Sequence, residues 1–287
     1  MQTSATRFDP VHYKRTTRAQ WEEAAEAWHR WGPTLRSWLG PATDRMLDLA
    51  RVSRGARVLD VAAGAGDQTS MIAERVGPEG HVLATDLSPA ILEFARADAR
   101  AAGFTQVETR AMDGENLDLA DASFDVAVSR VGLIYFPDQS RAMAEIHRVL
   151  APGGRFGAIV YSRPENNGFF SVPVSIIRRR AALGPPLPGQ PGPFSLGSPE
   201  AITRLYESAG FSRVEVEVVR APLRLPSAEQ CLSFERESFG ALHQMLSGLD
   251  DAGRAAAWAE IHAELRRFEG PDGFEGPCEL VLAVGTK

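Results

Sequence analysis

Apolar positions along this chain switch between a strand rhythm and a helix rhythm, and the switches mark its elements. From residue 57 to residue 161 the two alternate. Short apolar runs predict strands at 57–61, 81–86, 106–110, 124–129 and 155–161. Between them, helical spacing predicts helices at 67–76, 89–102 and 138–149, the second opening on Ser88-Pro89, a capping serine and a proline at the first helical position. The run F-D-V-A-V-S at 124–129 is nearly all apolar, as suits a strand buried on both faces. Such alternation predicts a parallel sheet covered by helices, with right-handed crossovers.

The flanks read differently. Residues 1–14 show little pattern and are expected to drape loosely over the surface. Residues 17–50 read as helices, with breaks at Gly32-Pro33 and Gly40-Pro41 and a third helix from Ala42 to Val52. Trp21, Trp28, Trp31 and Trp38 fall in this segment, and the first three share one helical face. That stripe either docks the helices on the core or roofs a ligand pocket, and a docked lid does both. Residues 162–183 are mixed, with Arg178, Arg179 and Arg180 reading as a solvated helix end. Eight of the ten residues at 184–193 are Gly or Pro, so that segment is a loop, either a flap beside a site or a surface excursion. A helix at 198–210 and an alternating edge strand at 212–219 follow. Residues 226–268 read as two or three amphipathic helices, and Cys278–Val284 as the last strand. The organisation expected is a helical lid at 1–52, a cofactor-binding core at 53–225, a helical cap at 226–276 and a final core strand at 277–287.

Candidate chemistry sits where the first strand ends. Residues 58–67, V-L-D-V-A-A-G-A-G-D, give a strand, a small-residue turn with Gly64 and Gly66, and the start of a helix. A ligand can lie against such a turn because no Cβ fills the space, and free N–H groups at the helix start favour a negative group. Asp86, twenty residues past Gly66, ends the second strand, where an acid can accept from both ribose hydroxyls. A dinucleotide fingerprint wants a third glycine where this chain has Thr69, so a dinucleotide-dependent oxidoreductase matches incompletely. Asp86, Asp113 and Ser129 all lie at or just past strand ends, and should share one rim with Gly64 and Gly66.

Composition narrows the class. The 287 residues are 44% hydrophobic and carry a net charge of −6, which gives no electrostatic footprint for nucleic acid. Cys231 and Cys278 make neither a disulfide framework nor a zinc site, so a reduced, cytoplasmic setting is expected and no metal. No run approaches the length of a membrane span, and the N-terminus lacks a signal pattern. A homodimer is left open.

The motifs, taken in order, resemble the class I S-adenosylmethionine-dependent methyltransferases, and within them the quinone-biosynthesis C-methyltransferase-like group. The resemblance rests on V-L-D-V-A-A-G-A-G-D, A-T-D-L-S at 84–88, M-D-G-E-N-L at 112–117, S-F-D-V-A-V-S-R at 123–130 and R-V-L-A-P-G-G-R at 148–155. It implies a doubly wound, seven-stranded, mostly parallel α/β sheet whose last strand is antiparallel, with a helical cap. It implies S-adenosyl-L-methionine as cofactor and in-line methyl transfer to a small-molecule acceptor. Ala62, Gly64 and Gly66 then resemble the turn against the cofactor's methionine end, with Asp60 organising it and Asp67 just after it. Asp86 resembles the ribose ligand, Leu87 the adenine packing residue, and Asp113, with Gly114 and Glu115, the acceptor for the adenine amino group. Ser129 resembles the contact under the sulfonium, and Trp28 the aromatic that closes over it. His29, Arg130 and Tyr135 are candidate acceptor-side groups; Arg130 could hold an anionic acceptor or pair with a carboxylate such as Asp125. The aromatic lid implies an apolar or aromatic acceptor. A homologue that binds the cofactor without turnover remains the alternative. The loop at 184–193 and the helices at 226–268 are additions, placed where the family binds its acceptor.

Overall fold

A computed structural model describes residues 8–187 and 189–287. Asp9 opens the first helix, its carboxylate accepting from the N–H groups of Val11 and His12 at 3.0 Å each. Helix α1 runs Pro10–Arg30 and α2 Gly32–Leu49. Two expectations are corrected here. Residues 10–14 are helical rather than draped, since Asp9-Pro10 is a cap-and-proline start of the same kind as Ser88-Pro89; the rest of that stretch, 1–7, lies outside the described residues. Pro41 does not end a helix but sits inside α2. The lost backbone bond is outweighed by burial on both sides of it: Leu35, Trp38 and Leu39 before, Ala42, Met46 and Leu47 after.

The alternating region folds as β1 (Arg57–Val61), α3 (Asp67–Val76), β2 (His81–Asp86), α4 (Pro89–Ala101), β3 (Val107–Ala111), β4 (Phe124–Arg130), α5 (Gln139–Val149) and β5 (Leu150–Tyr161). The strand β5 begins earlier than expected, ahead of Pro152-Gly153-Gly154, and its register against β4 shifts there. Then come α6 (Gly168–Arg180), α7 (Pro199–Ser208) and β6 (Ser212–Arg220). After β7 (Leu223–Leu225) stand α8 (Ala228–Ser238), α9 (Gly240–Leu246), α10 (Asp251–Leu265), β8 (Glu269–Gly270), β9 (Gly273–Gly276) and β10 (Glu279–Thr286).

Seven strands form one sheet in the order β3-β2-β1-β4-β5-β10-β6. The first five are parallel, and β10 enters antiparallel between β5 and β6. Chain order reverses between β1 and β4, so the turn after β1 opens into the crevice where open sheets of this kind take ligands. The centre is dry: Val58, Leu59, Ala127, Val128, Ile159 and Leu282 are all fully covered. A small sheet, β7-β9-β8, closes the insertion.

The stretch 162–183, mixed in sequence, is largely α6, whose Phe169, Val172, Pro173, Ile176 and Ile177 make a buried stripe despite the internal proline. Its basic end is exposed, and Arg179 and Arg180 pair with Glu260 of α10.

Candidate active site

The turn after β1 is built from left-handed backbone: Ala62 at φ 59°, Gly64 at 60° and Gly66 at 91°. Its two glycines do different work. A Cβ on Gly64 would stand 3.2 Å from the Trp28 indole nitrogen, so Gly64 keeps the space between turn and roof open. A Cβ on Gly66 would lie 2.7 Å from that of Ala95, so Gly66 lets α3 start close against α4. Gly66 therefore serves packing and does not line the cavity, unlike Ala62 and Gly64.

Buried side chains fix the turn from below. Asp60 is fully buried and accepts from Gln68 Nε2 at 2.6 Å and Thr69 Oγ1 at 2.7 Å. Thr69 thus bonds where a dinucleotide fingerprint would have glycine. Burial pushes the Asp60 carboxyl up to about 6, against the lowering effect of Thr69, Gln68 and the Arg130 charge. Asp86 accepts from the N–H groups of Gly64 and Ser88, each at 3.0 Å. Burial raises it above the ordinary carboxylate range, against those backbone bonds. The side chain lines the cavity.

Further round the rim, Leu87, Asp113 and Gly114 line the same cavity. Glu115 lies behind them, accepting from the Asp138 N–H at 2.8 Å and from Lys14. Lys14 Nζ also donates to Asp113 Oδ2 at 2.7 Å, which brings α1 down onto the rim. Burial opposes the charge on Lys14, but the bonds and charges of Asp113 and Glu115 outweigh it and hold the ammonium pKa up. Lys14 was missed in the sequence because its helix was missed. The cap at Asp9-Pro10 was the available signal.

The roof comes from α1 and the insertion. Trp21 and Trp28 meet edge to face at 5.2 Å; Trp21 meets Tyr135 at 5.8 Å and Trp28 meets Phe239 at 5.9 Å. Trp31 turns away and donates its indole N–H to Glu237 at 2.8 Å. Val131 holds φ 60°, costly for a β-branched residue, beside Gly132, where a Cβ would strike that of Ala62. Left-handed backbone just past the ends of both β1 and β4 thus meets under the roof.

The acceptor-side candidates separate. Tyr135 lines the cavity, and burial raises its phenol well above the ordinary range. Arg130 also reaches it, but its guanidinium is committed to Asp67 and to Thr43 Oγ1 at 3.2 Å; Asp125 belongs instead to Arg57. Asp67 is thereby that partner and not a lining residue. His29 is corrected: it lies outside this cavity, stacked on Phe94 at 4.6 Å with Nε2 3.0 Å from Asp98. Helical rotation carries it away from Trp28. Ser129 is fully buried beneath the rim, its hydroxyl without a partner among the described residues.

Residues 38–175 match the model of the ubiE/COQ5 methyltransferase family. A demethylmenaquinone methyltransferase of Thermus thermophilus is 34% identical over 179 residues, which cover 58% of this chain and 80% of that protein. The chain belongs to the ubiE/COQ5 methyltransferase family. A demethylmenaquinone methyltransferase of Listeria welshimeri is 37% identical over 126 residues, 44% of this chain and 53% of that one, so the match spans about half that relative's length. In fold the chain is similar to the YcgJ protein of Bacillus subtilis, with a TM-score of 0.59 at 19% identity over 86% of this chain and 98% of that one.

The family's cofactor is S-adenosylmethionine, and the residues present fit it. Gln68 lines the cavity beside the glycine turn with its amide nitrogen held by Asp60, which leaves Oε1 buried and, among the described residues, without a donor. An ammonium would supply that donor. Asp86 offers carboxylate oxygens on the cavity wall, where a ribose hydroxyl can donate to them.

Proposed function

We propose that the protein transfers a methyl group from S-adenosylmethionine to a small, apolar or aromatic acceptor held beneath the roof. When bound, the cofactor supplies a methyl group already activated by a sulfonium. In this reading the chain's residues orient and exclude water. Gln68 Oε1 receives the ammonium of the methionine end, Ala62 and Gly64 lie along it, and Ser129 supports the strand end beneath. Asp86 holds the ribose hydroxyls. Leu87 packs on the adenine, and Asp113 with Gly114 faces its amino edge, latched by Lys14. Trp28 closes over the turn, so α1 acts as a lid and the insertion as a cap. Alignment in a dry chamber can contribute roughly 7–11 kcal/mol towards the barrier. Tyr135 and Tyr161, with phenols raised by burial, stay protonated near neutral pH and serve as donors rather than bases.

The observation that carries this reading is the aromatic chamber of Trp21, Trp28, Tyr135, Tyr161 and Phe239 opening onto the glycine rim. The names of the relatives make a quinol-like ring the first acceptor to try. A reduced, cytoplasmic setting suits two free, buried cysteines, and among the described residues no helix is long and apolar enough to cross a membrane. The test is turnover with methyl-labelled cofactor on phenols, catechols, quinols, thiols and amines. Label should enter a flat, apolar ring compound. Cofactor binding with no transfer to any of them would favour the non-catalytic homologue, and transfer only to charged amines would reject the apolar chamber.

A further inference from the structure

Two tyrosines, Tyr161 and Tyr206, are fully buried, and the fold treats their hydroxyls differently. Tyr206 donates to the Ala283 carbonyl at 3.1 Å, as buried phenols ordinarily find a partner. Among the described residues the Tyr161 hydroxyl makes no hydrogen bond. It is not sealed in either, unlike the orphaned hydroxyl of Ser129. Tyr161 lines the cavity, so the cavity is where its oxygen opens. The rest of the side chain is fixed. Tyr161 ends β5, opposite Leu280 of β10. Its ring stacks on Trp38 and on Phe170, each at 6.3 Å, and meets Phe169 edge to face at 5.8 Å. A phenylalanine would keep all three contacts and leave no polar atom to satisfy. The hydroxyl therefore gives the empty fold nothing that a hydrogen would not. Burial holds the phenol well above its ordinary range, so near neutral pH it keeps a proton to donate.

Strand order decides which ligand meets this donor. The glycine turn follows β1, Asp86 ends β2 and Asp113 follows β3, all on one side of β4; β5 lies on the other. A cofactor laid across β1, β2 and β3 has its adenosine turned away from β5, which leaves the β5 end to the guest. We infer that Tyr161 donates a hydrogen bond to an oxygen, hydroxyl or carbonyl, on the acceptor ring. Tyr161 is then a specificity-determining residue. The aromatic walls take any flat apolar ring, and the phenol favours one that brings an oxygen to the β5 end. Holding that oxygen also sets which edge of the ring faces Gly64 and Gly132, which line the cavity past β1 and β4. This deepens the methyltransferase reading and rests on it for the presence of an acceptor in the chamber.

The experiment measures, by equilibrium dialysis, the binding of 1-naphthol and of 1-methylnaphthalene to the chain saturated with S-adenosylhomocysteine. The two probes match in shape, and one lacks the oxygen. Tyr161→Phe should lower the ratio of 1-naphthol to 1-methylnaphthalene affinity by about fivefold or more. Tyr206→Phe, which loses a hydrogen bond made inside the fold, should leave that ratio as in wild type. Thermal melting should show the reverse: Tyr161→Phe at or above wild type, Tyr206→Phe below it. An unchanged ratio in Tyr161→Phe overturns the inference, as does a chain that binds S-adenosylhomocysteine but neither ring. So does a Tyr161→Phe protein that melts well below wild type, which would give the hydroxyl a partner within the fold. Calorimetric binding of S-adenosylhomocysteine, expected to be equal in wild type and Tyr161→Phe, separates failure of this inference from failure of the cofactor reading.

Discussion

The rim and the roof of the cavity are built on different plans. At the rim, polar side chains find partners nearby in the chain: Asp60 with Gln68 and Thr69, Asp86 with Ser88 and Gly64. These bonds are buried or half-buried, and left-handed backbone locks the turn between them. The roof is tied on from far away: Lys14 to Asp113 and Glu115, Arg30 and Trp31 to Glu237. Those pairs are partly exposed, and the buried acid of α8, Glu235, meets only the Cys231 sulfur at 3.9 Å among the described residues. The difference teaches where this fold keeps its constants. The rim is tied together by buried bonds among β1, β2 and the turn between β1 and α3, whereas the roof is assembled from distant segments held by partly exposed pairs.

The largest test of that contrast is the buried acid under the rim. The folded-state pKa of Asp60 is raised above its unfolded value, so its stabilising contribution is full below about pH 4 and is lost as pH rises through about 6. Measured against Asp60→Asn by urea unfolding, the advantage of wild type should shrink across that window by about 3 kcal/mol. A difference that does not vary with pH would deny the buried network.

Next comes the turn. Gly66→Ala must adopt φ 91° and press on Ala95; we expect about 2–3 kcal/mol of destabilisation. Gly32→Ala, at the start of α2 with open space around it, should change stability by less than about 0.5 kcal/mol. Equal effects would erase the distinction between the two regions. Smaller again is the latch. Lys14→Gln should weaken S-adenosylhomocysteine binding by less than about fivefold, with the gap closing at 1 M salt, as suits a partly exposed ion pair. Smallest of all, His29→Ala should leave turnover and cofactor affinity within about twofold of wild type, because its partners are Asp98 and Phe94 outside the cavity.

The same division governs what could be read from the chain. The strand, glycine turn and helix at 57–76, the acid ending β2 and the Ser88 cap are local patterns, and the parallel strands lie within about a residue of expectation, apart from the early start of β5. Misreadings cluster where tertiary burial overrides local grammar. Pro41 and Pro173 sit inside helices because the residues around them are buried on the core. The three-strand sheet of β7, β8 and β9 comes from segments too short to show a rhythm. Within the site, Gly66 and His29 carried plausible motif or helix positions but face away from the cavity. Lys14 meets Asp113 and Glu115 at long sequence range, where spacing along the chain carries no signal.

The central claim is that the rim of β1, β2 and the loop after β3 holds an adenosyl cofactor through Asp86. Isothermal calorimetry with S-adenosylhomocysteine on wild type and Asp86→Ala, each shown to be folded by circular dichroism, tests it most directly. Wild type should bind at micromolar concentration, and the variant at least about a hundredfold more weakly, the size expected for losing hydrogen bonds to a charged group. Equal affinity in the two proteins would contradict the account.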